Sequence, residues 1–168
     1  MKDMDNNKML KKNIFSFLIV GIIFTFDRGS KYIIINLSNT LSELNNPITS
    51  FLSFNIVWND GIAFGLLSFQ QDFYYNLITL IIITVTLVIC WLAYRAQGLE
   101  KISYLMIIGG SLGNIFDRLY YSSVLDFIDI SINNFHWFIF NVADIFITLG
   151  VILLIILEFF NKKNHETN

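Results

Sequence analysis

The chain has 168 residues, of which 55% are hydrophobic and 14% are charged, and its mean hydropathy is +0.60. This composition excludes an ordinary soluble domain and indicates a membrane protein. The net charge of −2 and the lack of a basic block argue against nucleic acid as a partner. The single cysteine, Cys90, lies in an apolar run, so we expect neither a disulfide framework nor a cysteine-based metal site.

Four apolar segments are long enough to cross the hydrocarbon core of a bilayer, which takes about 20 residues. They cover residues 14–37, 73–94, 102–121 and 138–160. Lysines precede the first segment, as they would precede a secretory signal peptide. Because no small-residue cleavage site follows, and because Asp27, Arg28 and Lys31 interrupt the segment, we predict a retained transmembrane helix instead.

The positive charges outside these segments predict the orientation of the chain. They lie before the first segment, between the second and third, and after the fourth: Lys2, Lys8, Lys11, Lys12, Arg95, Lys101, Lys162 and Lys163. The connections 38–72 and 122–137 contain no lysine or arginine. The positive-inside rule therefore predicts that both termini are cytoplasmic and that these two connections face outward.

The first outward connection, residues 38–72, is too long to be a simple turn. Its part 51–69 is rich in aromatic residues and carries Asn59-Asp60-Gly61 at its centre. This pattern predicts a short β-hairpin followed by an interfacial half-helix over 62–69. We therefore expect an all-α membrane protein, with four transmembrane helices and a small extracytoplasmic β-hairpin and half-helix segment, as one domain over residues 1–168.

Ionisable residues in or beside the apolar segments need a separate explanation. There are seven: Asp27, Arg28, Lys31, Asp117, Arg118, Asp126 and Asp144. Unpaired at the bilayer centre they would cost on the order of 20 kcal/mol, which exceeds a typical folding stability. They must therefore cluster and pair, and the predicted orientation places all of them at the outer ends of their segments.

Helical spacing predicts which of these charges pair. Asp27 and Lys31 are four residues apart and can neutralise each other on one helix face. Asn114, Asp117 and Arg118 form a polar stripe, in which we expect Asp117 to pair with Arg118. This pairing leaves two carboxylates, at positions 126 and 144, without a cationic partner.

Two unpartnered carboxylates that come together share a proton, and they then present an acid and a base on either side of a water molecule. This is the chemistry of aspartic peptide hydrolysis. Two other interpretations stay open on the residues alone. Asp126 could cap a short helix while Asp144 bonds a neighbouring span, or the carboxylates could relay protons in a small proton-coupled membrane transporter.

The glycines of the third segment match two known motifs, one catalytic and one for helix packing. Gly109-Gly110-Ser111-Leu112-Gly113 matches the nucleophile elbow of serine hydrolases, but that motif requires a strand-to-helix turn and a histidine base. Here it lies in an apolar segment. Gly109 and Gly113 instead form a small-xxx-small pair, which predicts close approach of another helix.

Four blocks of the sequence, taken in order, resemble the lipoprotein signal peptidases, also called signal peptidase II. They are FDRGSK (26–31), NDGIAFG (59–65), GGSLGNIFDR (109–118) with VLDFI (124–128), and FNVADIFI (140–147). The resemblance covers almost the whole chain. Arg28 stands where the family usually has glutamine, and Ile62 stands where a small residue is common.

The resemblance implies an intramembrane aspartic endopeptidase that removes signal peptides from diacylglyceryl-modified bacterial prolipoproteins and cuts just before the lipidated cysteine. It implies that Asp126 and Asp144 form the catalytic dyad. The residues that it implies for the substrate site are Asn59, Asn114, Arg118 and Asn141, and those for structural support are Asp27, Lys31 and Asp117. It further implies the bacterial cytoplasmic (inner) membrane, an active site near the outer face and membrane lipids as partners. We expect a monomer that uses no metal or cofactor.

Overall fold

The fold, determined as a computed structural model, is a bundle of helices with a small antiparallel sheet at one end. The structure describes residues 2–40, 48–61, 72–132 and 135–166. The helices in these ranges are α1 (Lys2–Thr40), α2 (Asp72–Arg95), α3 (Gly98–Tyr121) and α4 (Val142–Glu166). The strands are β1 (Leu52–Asn59), β2 (Val124–Ile132) and β3 (Phe135–Phe140).

Helix α3 is the centre of the bundle and contacts α1, α2, α4 and β2. Its glycines allow this close packing, as the small-xxx-small spacing predicts. A Cβ atom placed on Gly109 would lie 2.8 Å from the Cβ of Ile23, and one on Gly113 would lie 2.5 Å from Asp27 Oδ2. Gly109 and Gly113 therefore bring α1 against α3.

The turns at the two ends of α3 depend on left-handed backbone conformations. Gly98 has a φ of +57° in the tight turn after α2, a conformation that glycine adopts without steric cost. At the other end Ser122 has a φ of 56° and directs the chain into β2. Asp126 therefore lies in the sheet, within a few residues of the end of α3.

The sheet has the order β1-β2-β3, and both strand pairs are antiparallel. The second strand of the hairpin predicted around Asn59-Asp60-Gly61 lies outside the described residues, and the pairing that the structure describes for β1 is with β2, which follows it by more than sixty residues. The register places Asn59 opposite Val124 and Val57 opposite Asp126. Local turn signals cannot identify so distant a partner. The predicted half-helix over 62–69 lies outside the described residues, and so does Ile62.

The predicted segments agree with the helices except at the start of the fourth. Residues 138–140 belong to β3, and α4 begins only at Val142. A hydropathy window cannot separate an apolar strand from an apolar helix that follows it. Of the described helices, α2 and α4 are long and apolar enough to cross a membrane. Since α1 and α3 carry the internal charges, their crossing stays a prediction.

Candidate active site

Asp126 lies in β2 and is almost completely buried, with 3% of its surface exposed. Both of its carboxylate oxygens accept a hydrogen bond from a side-chain amide. Asn59, the last residue of β1, donates from Nδ2 to Oδ2 at 2.9 Å, and Asn141 donates from Nδ2 to Oδ1 at 2.7 Å. The strand pairing thus places Asn59 beside Asp126, although the two are far apart in sequence.

Asp144 lies in the first turn of α4, where Asn141 precedes the helix. The backbone N–H of Asn141 donates to Asp144 Oδ2 at 3.2 Å, and the backbone N–H of Asp144 donates to Asn141 Oδ1 at 3.1 Å. This reciprocal pair caps the helix in the manner of a capping box. Asn114 of α3 donates from Nδ2 to the other oxygen, Oδ1, at 2.8 Å. Asp144 therefore bonds a neighbouring helix, as the alternative interpretation had expected.

Both aspartates line one cavity of about 520 Å³. Its polar wall also contains Asn59, Ser111, Asn114 and Arg118, and its apolar wall is formed by residues of α2, β2 and α4. A mainly apolar cavity with a few convergent polar groups is typical of a small-molecule or peptide site. The structure therefore brings together in one place the residues predicted for the dyad and for the substrate site, since Asn141 bridges the two aspartates.

The environment of Asp126 disfavours its charged form. Burial raises the pKa of Asp126 to about 6, and the nearby Asp144 carboxylate acts in the same direction. The hydrogen bonds from Asn59 and Asn141 oppose this rise without cancelling it. Two carboxylates of which one resists ionisation can hold one proton between them at mildly acidic pH.

Arg118 does not pair with Asp117, so the prediction of that ion pair is wrong. Its guanidinium donates to the carbonyl oxygen of Gly61 and lies 5.4 Å from the ring centroid of Tyr75. Neighbouring residues on a helix point in different directions, so Asp117 and Arg118 serve different sides of α3. Arg118 is 5% exposed, and among the described residues its Nε and Nη1 atoms have no hydrogen-bond partner, which leaves two buried donor atoms facing no acceptor in that part of the chain.

Asp117 joins a network of charges between α1 and α3. The predicted pair Asp27–Lys31 is confirmed, with Lys31 Nζ 3.1 Å from Asp27 Oδ1. Lys31 also lies 2.6 Å from Asp117 Oδ2, and Arg28 lies 2.5 Å from Asp117 Oδ1. Lys31 further donates to Asn114 Oδ1 at 3.1 Å, which links the network to the amide that holds Asp144.

The sequence reasoning assigned no partner to two polar residues of the site region. Arg28 was counted among the charges that must pair, and in the structure it bridges Asp27 and Asp117. Asp129 is fully buried in β2 and accepts hydrogen bonds from Asn55 Nδ2 at 2.5 Å and from Ser53 Oγ at 3.4 Å. An acidic residue inside the apolar run 124–130 was the available signal for Asp129.

Two other kinds of site find less support in the same region. Ser111 lies within helix α3, so the strand-to-helix turn that a nucleophile elbow requires is not formed there. Among the described residues, no group of three or more histidine, cysteine, aspartate or glutamate side chains is arranged to hold a metal ion. The carboxylate pair, in contrast, has the groups that general acid and base catalysis requires.

Comparison with known proteins identifies the family. Residues 19–160 match the family model described as signal peptidase (SPase) II. A protein named lipoprotein signal peptidase from Pelagibacter ubique is 41% identical over 165 residues, covering 96% of this chain and 99% of that protein. One of the same name from Francisella tularensis subsp. novicida is 36% identical, covering 92% and 98%.

Solved structures agree with these sequence matches. A structure described as a bacterial membrane enzyme, solved by the in meso method at 2.3 Å resolution, superposes with a TM-score of 0.72 and 31% identity, covering 89% of this chain and 90% of that one. A second one, at 1.9 Å resolution, gives a TM-score of 0.65 and 30% identity. The chain belongs to the signal peptidase II family.

Proposed function

We propose that this protein is an intramembrane aspartic endopeptidase that removes signal peptides from diacylglyceryl-modified prolipoproteins, with Asp126 and Asp144 as its catalytic dyad. One observation carries the proposal. The two carboxylates line the same cavity, and Asn141 binds both of them. Family membership supplies the substrate class, since the relatives are named lipoprotein signal peptidases. It also favours the peptidase over the transporter.

The dyad hydrolyses the peptide bond by general acid and base catalysis. The ionised carboxylate takes a proton from a water molecule while the water oxygen bonds to the scissile carbonyl carbon. The protonated carboxyl donates its proton to the carbonyl oxygen, which gives a neutral tetrahedral intermediate. The intermediate collapses when a proton passes to the amide nitrogen and the C–N bond breaks. The products are the signal peptide and a lipoprotein with a free cysteine amine.

The remaining polar residues of the cavity position the dyad and the substrate. Asn59 and Asn141 fix the Asp126 carboxylate in the orientation set by the strands, and Asn114 fixes Asp144. Arg118 offers to substrate carbonyl oxygens its Nε and Nη1, which meet no acceptor within the described ranges. The apolar wall of the cavity suits the hydrophobic segment of a signal peptide.

The proposed setting is the bacterial inner membrane, crossed by all four helices of a single-domain monomer with cytoplasmic termini. One observation supports the membrane setting and a second supports the orientation of the chain in it. The apolar faces of α2 and α4 are exposed over most of their length, as expected for helices in contact with lipid. The polar cluster, the dyad and the sheet lie at the same end of the bundle, opposite to the basic α2–α3 turn. The active site then lies near the outer face.

The direct test is incubation of the purified protein with a diacylglyceryl-modified prolipoprotein, with release of the signal peptide followed by gel shift. Mass spectrometry should find the lipidated cysteine as the new N-terminal residue. Cleavage should persist with a metal chelator and with a serine-directed reagent, because the proposed mechanism uses neither a metal nor a serine. An intact substrate after long incubation would exclude the peptidase function.

A further inference from the structure

The four charges between α1 and α3 form a closed arrangement with no net charge. Asp27 and Asp117 supply two negative charges, and Arg28 and Lys31 supply two positive ones. Both aspartates are fully buried, and Lys31 is 2% exposed. Neutrality matters at such a site, because an uncompensated buried charge is strongly destabilising.

In both aspartates of this network, one carboxylate oxygen contacts Arg28 and the other contacts Lys31. Arg28 donates to Oδ2 of Asp27 at 2.7 Å and to Oδ1 of Asp117 at 2.5 Å. Lys31 contacts the other oxygen of each, Oδ1 of Asp27 at 3.1 Å and Oδ2 of Asp117 at 2.6 Å. Arg28 therefore fixes, in each of the two carboxylates, the oxygen that Lys31 does not contact.

The two oxygens that Lys31 contacts also accept backbone hydrogen bonds, and the donors lie next to the dyad. Ala143 donates its N–H to Asp27 Oδ1 at 3.1 Å, and Leu125 donates its N–H to Asp117 Oδ2 at 3.3 Å. Ala143 directly precedes Asp144, and Leu125 directly precedes Asp126. Each carboxylate of the network thus holds the backbone N–H of the residue that directly precedes one member of the dyad.

We infer that Arg28 is a positioning residue, which aligns the catalytic carboxylates by holding Asp27 and Asp117 against the backbone of Ala143 and Leu125. This inference depends on the proposed function. The guanidinium suits the task because it presents several donors in a rigid plane, whereas an ammonium is a compact point charge. Arg28 uses Nε and Nη2 on Asp27 and Nη1 on Asp117. Its guanidinium also lies 4.8 Å from the ring centroid of Phe116, which restricts its movement.

The test compares Arg28→Gln with wild type for kcat and KM on the lipidated prolipoprotein, and for hydrogen exchange of the full-length protein. We expect kcat to fall about tenfold or more with KM changed by less than about twofold, because a small misplacement of the dyad affects chemistry more than binding. Exchange should rise in peptides that contain Leu125 and Ala143. The matched control is Arg95→Gln, which removes an arginine 4.3 Å from the Trp91 ring centroid, outside the network, and should leave both readouts unchanged.

The outcomes separate this inference from the proposed function. If wild type does not cleave, the proposed function fails. If wild type cleaves and Arg28→Gln has the wild-type kcat, or loses kcat without faster exchange at Leu125 and Ala143, the positioning role is overturned. Should Arg28→Gln not fold, Arg28→Lys keeps the charge but not the planar set of donors, and it should lose about threefold or more in kcat with the same exchange signature. Failure of both variants to fold would overturn the inference and assign Arg28 to stability alone.

Discussion

Asn141 forms hydrogen bonds to the two candidate catalytic aspartates through three of its polar groups. Its side-chain N–H₂ binds Asp126, its side-chain oxygen accepts the backbone N–H of Asp144, and its own backbone N–H donates to the Asp144 carboxylate. It is also completely buried, so water does not compete for these groups. A single residue at the start of α4 therefore sets the relation between a strand carboxylate and a helix carboxylate.

The first prediction concerns the dyad itself. Asp126→Asn and Asp144→Asn should each reduce kcat by at least about a thousandfold, because an amide cannot exchange the shared proton. The loss of one hydrogen bond should cost only about 1–3 kcal/mol of stability, so the variants should remain folded in a detergent melting assay. Asp60→Asn is the matched control, since Asp60 is exposed and lies next to Asn59. Near-normal turnover by either dyad variant would remove the mechanism.

The second prediction is a pH dependence with a defined sign. Burial raises the pKa of Asp126 to about 6, so the free enzyme should lose the shared proton as the pH rises beyond that value. We expect the kcat/KM profile to be bell-shaped, with a basic limb that begins near pH 6 and an acid limb where the second carboxylate is protonated. Melting temperatures over the same range control for unfolding. A kcat/KM that rises through pH 6 to a plateau would contradict proton sharing.

Among the elements, helix α3 determines how closely the others can approach the dyad. It contacts three helices and β2, and Gly109, Gly110 and Gly113 lie in close contact with α1 or α4. A Cβ atom on Gly110 would lie 2.5 Å from the backbone oxygen of Ala143, directly beside Asp144. The position of α4, and with it one candidate catalytic carboxylate, thus depends on the absence of a side chain at Gly110 of α3.

The third prediction follows from this contact. Gly110→Ala should destabilise the protein by about 1–3 kcal/mol and lower activity, because a backbone atom cannot move aside as a flexible side chain would. Gly21→Ala in α1 is the control, since a Cβ atom there would meet no atom of the described part of the chain within 4 Å. It should be neutral or slightly stabilising, as alanine favours helix more than glycine does. Equal melting temperatures and rates for the two variants would contradict the close α3–α4 packing.

In the molecule as a whole, the polar cluster and the sheet lie at one end of an apolar bundle. In the proposed orientation the dyad lies near a membrane boundary, where a substrate can enter laterally from the lipid. Under the proposed function a signal peptide enters as a helix, and its backbone hydrogen bonds must open before water reaches the scissile carbonyl. Under the same proposal a lipid anchor on the next residue holds the opened segment at the depth of the dyad.

The fourth prediction is that the lipid on the substrate is required. Each buried methylene contributes about 0.8 kcal/mol, so the diacylglyceryl group supplies binding far from the scissile bond that holds this bond in place. We expect an unmodified prolipoprotein of the same sequence to be cleaved at least about a hundredfold more slowly, equivalent to some 2.7 kcal/mol. The readout is kcat/KM for both substrates in the same vesicles. Equal rates would show that peptide sequence alone positions the bond.

The fifth prediction concerns orientation in the membrane. Cys90 is the only cysteine, so Cys90→Ala gives a background without thiols. In intact cells a membrane-impermeant maleimide should label Thr49→Cys, before β1, and should spare Glu100→Cys, at the start of α3, until the membrane is permeabilised. Both positions are exposed on the protein surface. The reverse pattern would invert the proposed topology and place the dyad at the cytoplasmic face.

The sequence alone predicted the helical segments, a membrane protein and the residues that meet at the candidate site. Runs of apolar residues define helices because the bilayer or the bundle interior requires backbone groups to bond within each segment. The cost of burying charge likewise implied that Asp126 and Asp144 lie in a shared polar cluster. The Asp27–Lys31 pair followed from helical spacing, which is a local property.

Only the tertiary structure decided which distant groups meet. The pairing of β1 with β2 brings Asn59 to Asp126, and no local signal specifies a strand partner so far along the chain. Asp117 and Arg118 point in different directions around α3 and therefore do not pair. Asp117 instead forms ion pairs with Arg28 and Lys31 of α1. Spacing along one helix fixes which residues share a face. Which helix or strand lies against that face depends on the packing of the whole bundle, because its contacts are made between elements remote in sequence.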